Sequence, residues 1–163
     1  GRAWATGGGG DGVSNDNLYR DFWAAFVADP QGPRSFTSAR PTKRNPNAEQ
    51  YRDFAMQFGT SFKLVATANL QKDRISAQFF RGSKAGHQFV KSLDPSGSGF
   101  VSLRGGIHAQ THFNPSDCKI ELFRNDASLF DPAFWPAHFL WLRIALNELA
   151  ESLLPKLKAF EER

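Results

Sequence analysis

The chain has 163 residues, a net charge of +4, 40% hydrophobic and 22% charged residues, and a single cysteine. This length fits one domain with a core of its own, and this composition excludes a wholly disordered chain, an internal disulfide framework and a zinc site built from paired cysteines. No apolar run reaches the roughly 18 residues that would span a bilayer, so we expect a cytoplasmic protein without membrane contact.

The N-terminal part of the chain combines a glycine run with a first helix. Residues 7–10 are all glycine, and glycine loses more backbone entropy on ordering than any other residue. We therefore predict a flexible Gly-rich linker or cloning remnant over residues 1–13 and a single α+β domain over residues 14–163. Leu18, Phe22 and Phe26 recur at helical spacing, which predicts a helix over residues 15–28.

A strand-rich stretch follows this helix. Residues 36–39 fit a short strand and residues 40–47 a polar loop broken by prolines, whereas residues 51–58 fit either a strand or a short helix. Hydrophobic and polar residues alternate from Phe62 to Asn69 and again over residues 74–81. This is the period of half-buried strands, and the short turn between them predicts an antiparallel hairpin.

The C-terminal half contributes two more helices and two more strands. Residues 82–93 predict a helix capped by Ser83, and residues 107–113 and 119–124 predict strands. Asp131 and Pro132 are an N-cap and a first helical residue, and the apolar residues that recur after them predict a long helix, broken or kinked at Pro155. The predicted fold is a mostly antiparallel sheet with an N-terminal helix, one inserted helix and a long C-terminal amphipathic helix packed on the sheet.

Positive charge is concentrated in the middle of the chain. Residues 34–91 hold eleven basic and three acidic residues, a net charge of +8, whereas the flanks on either side carry −2 each. Such a block indicates a polyanionic partner, although solvated cations on strand faces would give the same count. Phe80, on the outward face of a strand, is either a base-stacking platform or part of a second core layer. The predicted nucleic-acid-binding residues are Arg40, Lys43, Arg44, Arg74, Phe80, Arg81 and Lys84.

One pattern points to catalysis. Metal-dependent restriction-type nucleases hold Mg²⁺ with an Asp and with the acidic residue of a following acidic-x-Lys motif. Asp94, Asp117 and Lys119 have acceptable spacing for this, but two turn aspartates beside a strand would look the same. His108 and His112, lacking a third ligand, predict no metal site. We expect no cofactor, with Mg²⁺ only if the nuclease hypothesis holds, and we expect His138 and Cys118 to be buried structural residues.

Five segments together resemble a known family. They are residues 18–23 (LYRDFW), the Arg40-Pro41 loop, residues 75–80 (ISAQFF), a helix with Phe89 and Leu93, and a closing helix with Trp135 and Trp141. Over residues 15–162 they resemble a prokaryotic family of the DUF type (domain of unknown function), which in many relatives lies C-terminal to a restriction-endonuclease-like module. The resemblance implies an accessory domain of a nuclease or defence-type protein, and it supplies no catalytic residues.

Three hypotheses about function result. The first is an accessory binding or specificity domain that contacts nucleic acid or a partner subunit through a basic face. The second is a divergent Mg²⁺-dependent nuclease. The third is a dimerisation module, because Trp135, Phe139 and Trp141 lie off the main apolar stripe of the last helix, where a two-fold contact would bury them.

Overall fold

The computed structural model describes residues 9–29, 51–54 and 61–162. In chain order, the longer elements are α1 (Gly9–Ala28), β1 (Tyr51–Phe54), β2 (Lys63–Asn69), β3 (Arg74–Arg81), α2 (His87–Leu93), β4 (Phe100–Ser102), β5 (His108–Asn114), β6 (Asp117–Arg124) and α3 (Trp135–Glu161). Short 3₁₀ turns, Lys84–Gly86, Arg104–Gly106 and Pro132–Phe134, precede α2, β5 and α3. The predicted α+β fold is confirmed. No helix in the described part of the chain is long and apolar enough to cross a membrane.

The six strands form one antiparallel sheet in the order β1-β2-β3-β6-β5-β4. The predicted β2–β3 hairpin is confirmed, with Leu64 opposite Phe79. β6 then pairs with β3 and places Ile120 opposite Phe79. Because successive side chains of a strand point to opposite faces, this register collects the apolar residues of β2, β3 and β6 on one face.

The core lies between this apolar face and the helices. The buried side chains of α3 include Leu142, Leu146, Leu149 and Leu153, which form one hydrophobic cluster with the apolar face of the sheet. Near the C-terminal end of α3, Phe89 of α2 packs edge-on against Phe160, with ring centroids 5.5 Å apart. Burial of these large apolar side chains stabilises the folded domain.

Helix α1 covers the start of α3. Phe22 packs edge-on against both Trp135 and Phe139, each with ring centroids 5.2 Å apart, and all three side chains are buried. The argument that a second copy of the chain buries Trp135 and Phe139 is therefore wrong, since α1 of the same chain does so. Trp141 is half-buried against the core, and Leu140 and Ile144 remain exposed.

The structure corrects or completes the sequence prediction of the elements at several places. Helix α1 begins at Gly9, so residues 9–13 of the predicted linker lie in the helix. Residues Tyr51–Phe54, for which the sequence allows either a strand or a short helix, form a strand. Strand β4 is not predicted from the sequence, because three residues are too few to show a period. Helix α3 continues through Pro155 to Glu161, held by buried Leu153 and Leu157 on either side. The predicted strand at 36–39 and loop at 40–47 lie outside the described residues.

His138 is the buried, hydrogen-bonded core histidine that the sequence predicts. It is 4% exposed, and its Nε2 donates to the backbone oxygen of Ala127. Burial lowers the pKa of this imidazole below its usual value, and the charge of Arg124 adds to the shift.

We expect the His138 imidazole to make the stability of the fold sensitive to mild acid. The unfolded chain takes up this proton near pH 6.5, whereas the folded chain resists it to lower pH. The stabilisation is therefore complete above about pH 6.5 and falls as the pH drops toward the lower pKa of the folded state. Urea unfolding at several pH values should show this fall, and a His138→Gln variant should show a flatter profile. Identical profiles for the two proteins would contradict the assignment.

Candidate functional site

The face of the sheet opposite the core is largely polar, and we call it the polar face. It carries the side chains of β2 to β6 that alternate with the core residues. Residues that pair across antiparallel strands lie on the same face, so the register groups these side chains into rows. Four of the rows are Lys63, Phe80, Lys119 and His112; Val65, Gln78, Glu121, Gln110 and Phe100; Thr67, Ser76 and Phe123; and Asn69 and Arg74.

A carboxylate stands in the middle of the polar face. Glu121 is 8% exposed, and its Oε2 accepts a hydrogen bond from Nε2 of Gln78 at 2.9 Å. Nε2 of His112 lies 3.0 Å from its Oε1, and Nζ of Lys119 lies 4.0 Å from its Oε2. A buried carboxylate is tolerated only when hydrogen bonds and opposite charges compensate for its lost hydration. The hydrogen bond from Gln78 and the nearby ammonium of Lys119 supply that compensation.

A cavity of about 300 Å³ opens above Glu121. Its volume lies at the lower end of the range for small-ligand sites, about 300–1,000 Å³. Its lining is polar, with one carboxylate against the three basic side chains Lys72, Arg74 and Lys119. The lining residues are Thr67, Asn69, Lys72, Arg74, Gln78, His112, Lys119 and Glu121.

Exposed and half-buried aromatic rings lie on the same face of the sheet as this cavity. Phe123 is 38% exposed, and the guanidinium carbon of Arg74 lies 4.4 Å from its ring centroid. Phe80 is half-buried, with the Lys63 ammonium 5.6 Å from its ring centroid. Phe100, at the other edge of the face, is 50% exposed. Cation–π contacts of this kind hold a ring and a positive charge side by side.

The predicted nucleic-acid-binding residues do not share one surface. Arg74 and Phe80 lie on the polar face. Arg81 pairs with Cys118, on the face that packs against the helices, and Lys84 is exposed in the 3₁₀ turn before α2. Arg40, Lys43 and Arg44 lie outside the described residues.

The three residues of the nuclease hypothesis bind different neighbours. Both oxygens of Asp94 cap its own loop, accepting from the backbone N–H groups of Ser98 and Gly99. Hydrogen bonds from Ser98 and Gly99 lower the pKa of this carboxyl below its usual range. Asp117 accepts from Asn114 across the β5–β6 turn, and Lys119 faces Glu121 on the polar face. Among the residues with described side chains, no three His, Cys, Asp or Glu lie together as a metal-binding group.

Cys118 is buried, as predicted, on the core side of β6. Burial raises the pKa of its thiol, so the reactive thiolate is disfavoured. The close packing here extends to the turn before α2, because a Cβ added to Gly86 would lie 2.7 Å from the Cys118 sulfur.

The chain was compared with protein-family models, curated proteins and solved structures, and none of these comparisons gave a match. The likeness to a DUF-type family therefore stays an expectation from the sequence.

The central cluster is missed by sequence reasoning. In the sequence, Glu121 is only an acidic residue two positions after Lys119 on the same face of a predicted strand. His112 is only one of two histidines that lack a third metal ligand. Gln78 and Glu121 are 43 residues apart in the chain and meet because β6 pairs with β3. The sequence contains one signal for this cluster. Side chains alternate between the two faces of a strand, so Gln78 and Glu121 lie on the face opposite to their apolar neighbours in the chain.

Proposed function

We propose that the chain is an accessory nucleic-acid-binding domain whose polar face binds a single strand. The observation that carries the proposal is the combination, on one face of a sheet, of exposed and half-buried aromatic rings with cations beside Phe123 and Phe80. Single strands offer unpaired bases that stack on aromatic side chains and phosphates that pair with Lys and Arg. As predicted from the sequence, the proposed binding surface is a basic face. In the structure this face is centred on β2, β3 and β6.

The charge on this face favours a polyanion. Lys63, Lys72, Arg74 and Lys119 are distributed over β2, the β2–β3 turn, β3 and β6. The Glu121 carboxylate is the one acidic group among the residues that line the cavity, where it faces Lys72, Arg74 and Lys119. The face therefore presents several phosphate contacts, and each one should make binding sensitive to salt.

The aromatic rings favour a single strand over a duplex. A duplex buries the faces of its bases in its own stack and presents only their edges and the phosphates. Phe123 and Phe100, which are exposed on the polar face, gain a stacking partner only from unpaired bases. A partner subunit is the competing occupant, and it would be revealed by failure to bind oligonucleotides.

We expect single-stranded DNA or RNA of about 12 nucleotides to bind in a fluorescence-anisotropy titration, more weakly at about 200 mM than at about 50 mM salt. Lys72→Gln should reduce the salt slope by about 0.7, as expected for one lost phosphate contact to a single strand. Lys156→Gln, which removes an exposed charge from α3, is the matched control and should leave the slope unchanged. Absence of binding at low salt, or equal effects of the two variants, would refute the proposal.

A further inference from the structure

The carboxylate at the centre of the polar face opposes phosphate binding. Glu121 pairs with Gln78 of β3, lies two residues after Lys119 on β6, and lines the cavity together with Lys72 and Arg74. An anion there lowers the affinity for every phosphate nearby. Binding of the phosphate backbone of a nucleic acid therefore does not explain why a carboxylate lies at this position. Groups that reduce general affinity in a binding site are typical of discrimination between ligands.

The Glu121 carboxylate retains capacity to accept hydrogen bonds. A carboxylate offers about four lone-pair positions over its two oxygens. Gln78 occupies one of these positions on Oε2. The Nε2 atom of His112 lies close to Oε1 but is not aligned for a hydrogen bond with it, and this Nε2 has no other hydrogen-bond partner among the described residues. Both oxygens therefore have acceptor positions left at the cavity.

We infer that the cavity takes one base of the bound strand and that Glu121 selects guanine. This inference rests on the proposed function. Guanine presents two adjacent donors, N1–H and the N2 amino group, on its Watson–Crick edge, and the two oxygens of one carboxylate accept both. Lys119, 4.0 Å from the same carboxylate, supplies a donor for the neighbouring guanine O6.

The other bases fit this lining less well. The N3–H of thymine or uracil lies between two carbonyl oxygens, which a carboxylate repels. Adenine and cytosine each offer one amino group beside an acceptor ring nitrogen, so they give one hydrogen bond where guanine gives two. A bidentate contact to a base is worth about 1–3 kcal/mol of discrimination, which is about 5- to 150-fold in affinity.

The test compares three oligonucleotides on the full chain. An oligothymidylate of about 12 nucleotides is titrated beside the same strand with one central guanine and with one central inosine, which lacks the N2 amino group. We expect the guanine strand to bind about 5- to 150-fold more tightly than oligothymidylate, with inosine between them. Ribose and deoxyribose versions of each strand separate an RNA ligand from a DNA ligand.

Glu121→Gln provides the second arm. It should abolish the preference for guanine while oligothymidylate binds at least as tightly as before, because an anion has left the phosphate-binding face. Glu148→Gln removes a carboxylate that binds Arg104 and Ser152 on the helical side, and it should keep the preference. If Glu121→Gln fails to fold, as judged by its thermal melt, the ranking of guanine, inosine and thymine on the unchanged protein still decides the inference.

The outcomes separate the two proposals. If no strand binds at low salt, the proposed function fails and the inference fails with it. If all three strands bind equally, or if Glu121→Gln keeps the guanine preference, the polar face remains a nucleic-acid-binding surface and the role of Glu121 is overturned.

Discussion

Replacement of Phe79 by alanine should lower the free energy of unfolding by about 3–5 kcal/mol. Phe79 is completely buried on the core face of β3. Its ring stacks on Phe62 with centroids 5.0 Å apart and lies 6.5 Å from the ring of Phe89. Truncation removes these contacts and leaves a cavity that the paired strands on either side cannot close. Urea unfolding followed by circular dichroism gives the change directly.

Phe123→Ala is the matched control on the opposite face of the same sheet. Its ring is partly exposed and contacts the Arg74 guanidinium, so its truncation should cost about 1 kcal/mol or less. The same variant should weaken the binding of a single strand, since one stacked base is worth about 1–3 kcal/mol. Phe134→Ala, which removes a more exposed ring from the helical side, should change neither quantity appreciably. Equal losses of stability for Phe79→Ala and Phe123→Ala would contradict the assignment of the two faces.

The fold is largely predictable because its long elements carry strong local patterns. Apolar and polar residues alternate over most of β2 and β3, and the turn between them is short, so both the strands and their antiparallel pairing follow from the sequence. The start of the last helical segment is equally well marked, since Asp131 accepts from the backbone N–H of Ala133, as an N-cap does. These signals lie within a few residues of one another and need no tertiary information.

The central cluster is not predictable for a topological reason. Alternation assigns Gln78 and Glu121 to polar positions of their strands, but it does not say which strands are neighbours. The segment between β3 and β6 contains α2, β4 and β5, and only the folded sheet returns β6 to the side of β3. His112 joins them because β5 then pairs with β6. A site assembled across three strands therefore needs the strand order, which local patterns do not contain.

The alternation of side chains along β3 divides the basic residues predicted from the sequence between the two faces of the sheet. Arg74 and Phe80 are even-numbered residues of β3, whereas Arg81 is odd-numbered and lies on the face with Phe79. The two-residue period of a strand is enough to separate Arg81 from the other two. A count of charges alone therefore groups residues that lie on opposite faces of the same strand.

Replacement of Asp73 by alanine is expected to destabilise the fold by about 3 kcal/mol, because hydrogen bonds to a charged group contribute about 1.5–3 kcal/mol each. Asp73 lies in the β2–β3 turn with a φ of 49°. Its Oδ2 and Oδ1 accept from the backbone N–H groups of Ser128 and Leu129, each at 2.9 Å, and its own backbone oxygen accepts from Ala127 at 2.9 Å. The side chain therefore fastens the hairpin to the loop that leads into α3.

Two further variants separate the carboxylate from the backbone conformation. Asp73→Gly relieves the cost of a positive φ but loses the carboxylate, whereas Asp73→Asn keeps one acceptor oxygen and tolerates the left-handed region. We expect stability to rank Asp, Asn, Gly, Ala in decreasing order. Asp126→Ala is the matched control, because Asp126 also has a positive φ, of 56°, but is exposed and should cost only about 1 kcal/mol.

Hydrogen exchange locates the effect of the Asp73 substitution. The loop at Ala127–Leu129 is also held from α3, by Trp135 Nε1 donating to the Leu129 oxygen and by His138 donating to the Ala127 oxygen. Loss of the Asp73 carboxylate should therefore speed exchange at the amides of Ser128 and Leu129 more than at amides in the middle of α3. Because this turn also positions the neighbouring Lys72 and Arg74, which line the cavity, Asp73→Ala should weaken oligonucleotide binding, whereas Asp126→Ala should not. Equal exchange at Leu129 in the two variants would show that the carboxylate does not fasten the loop.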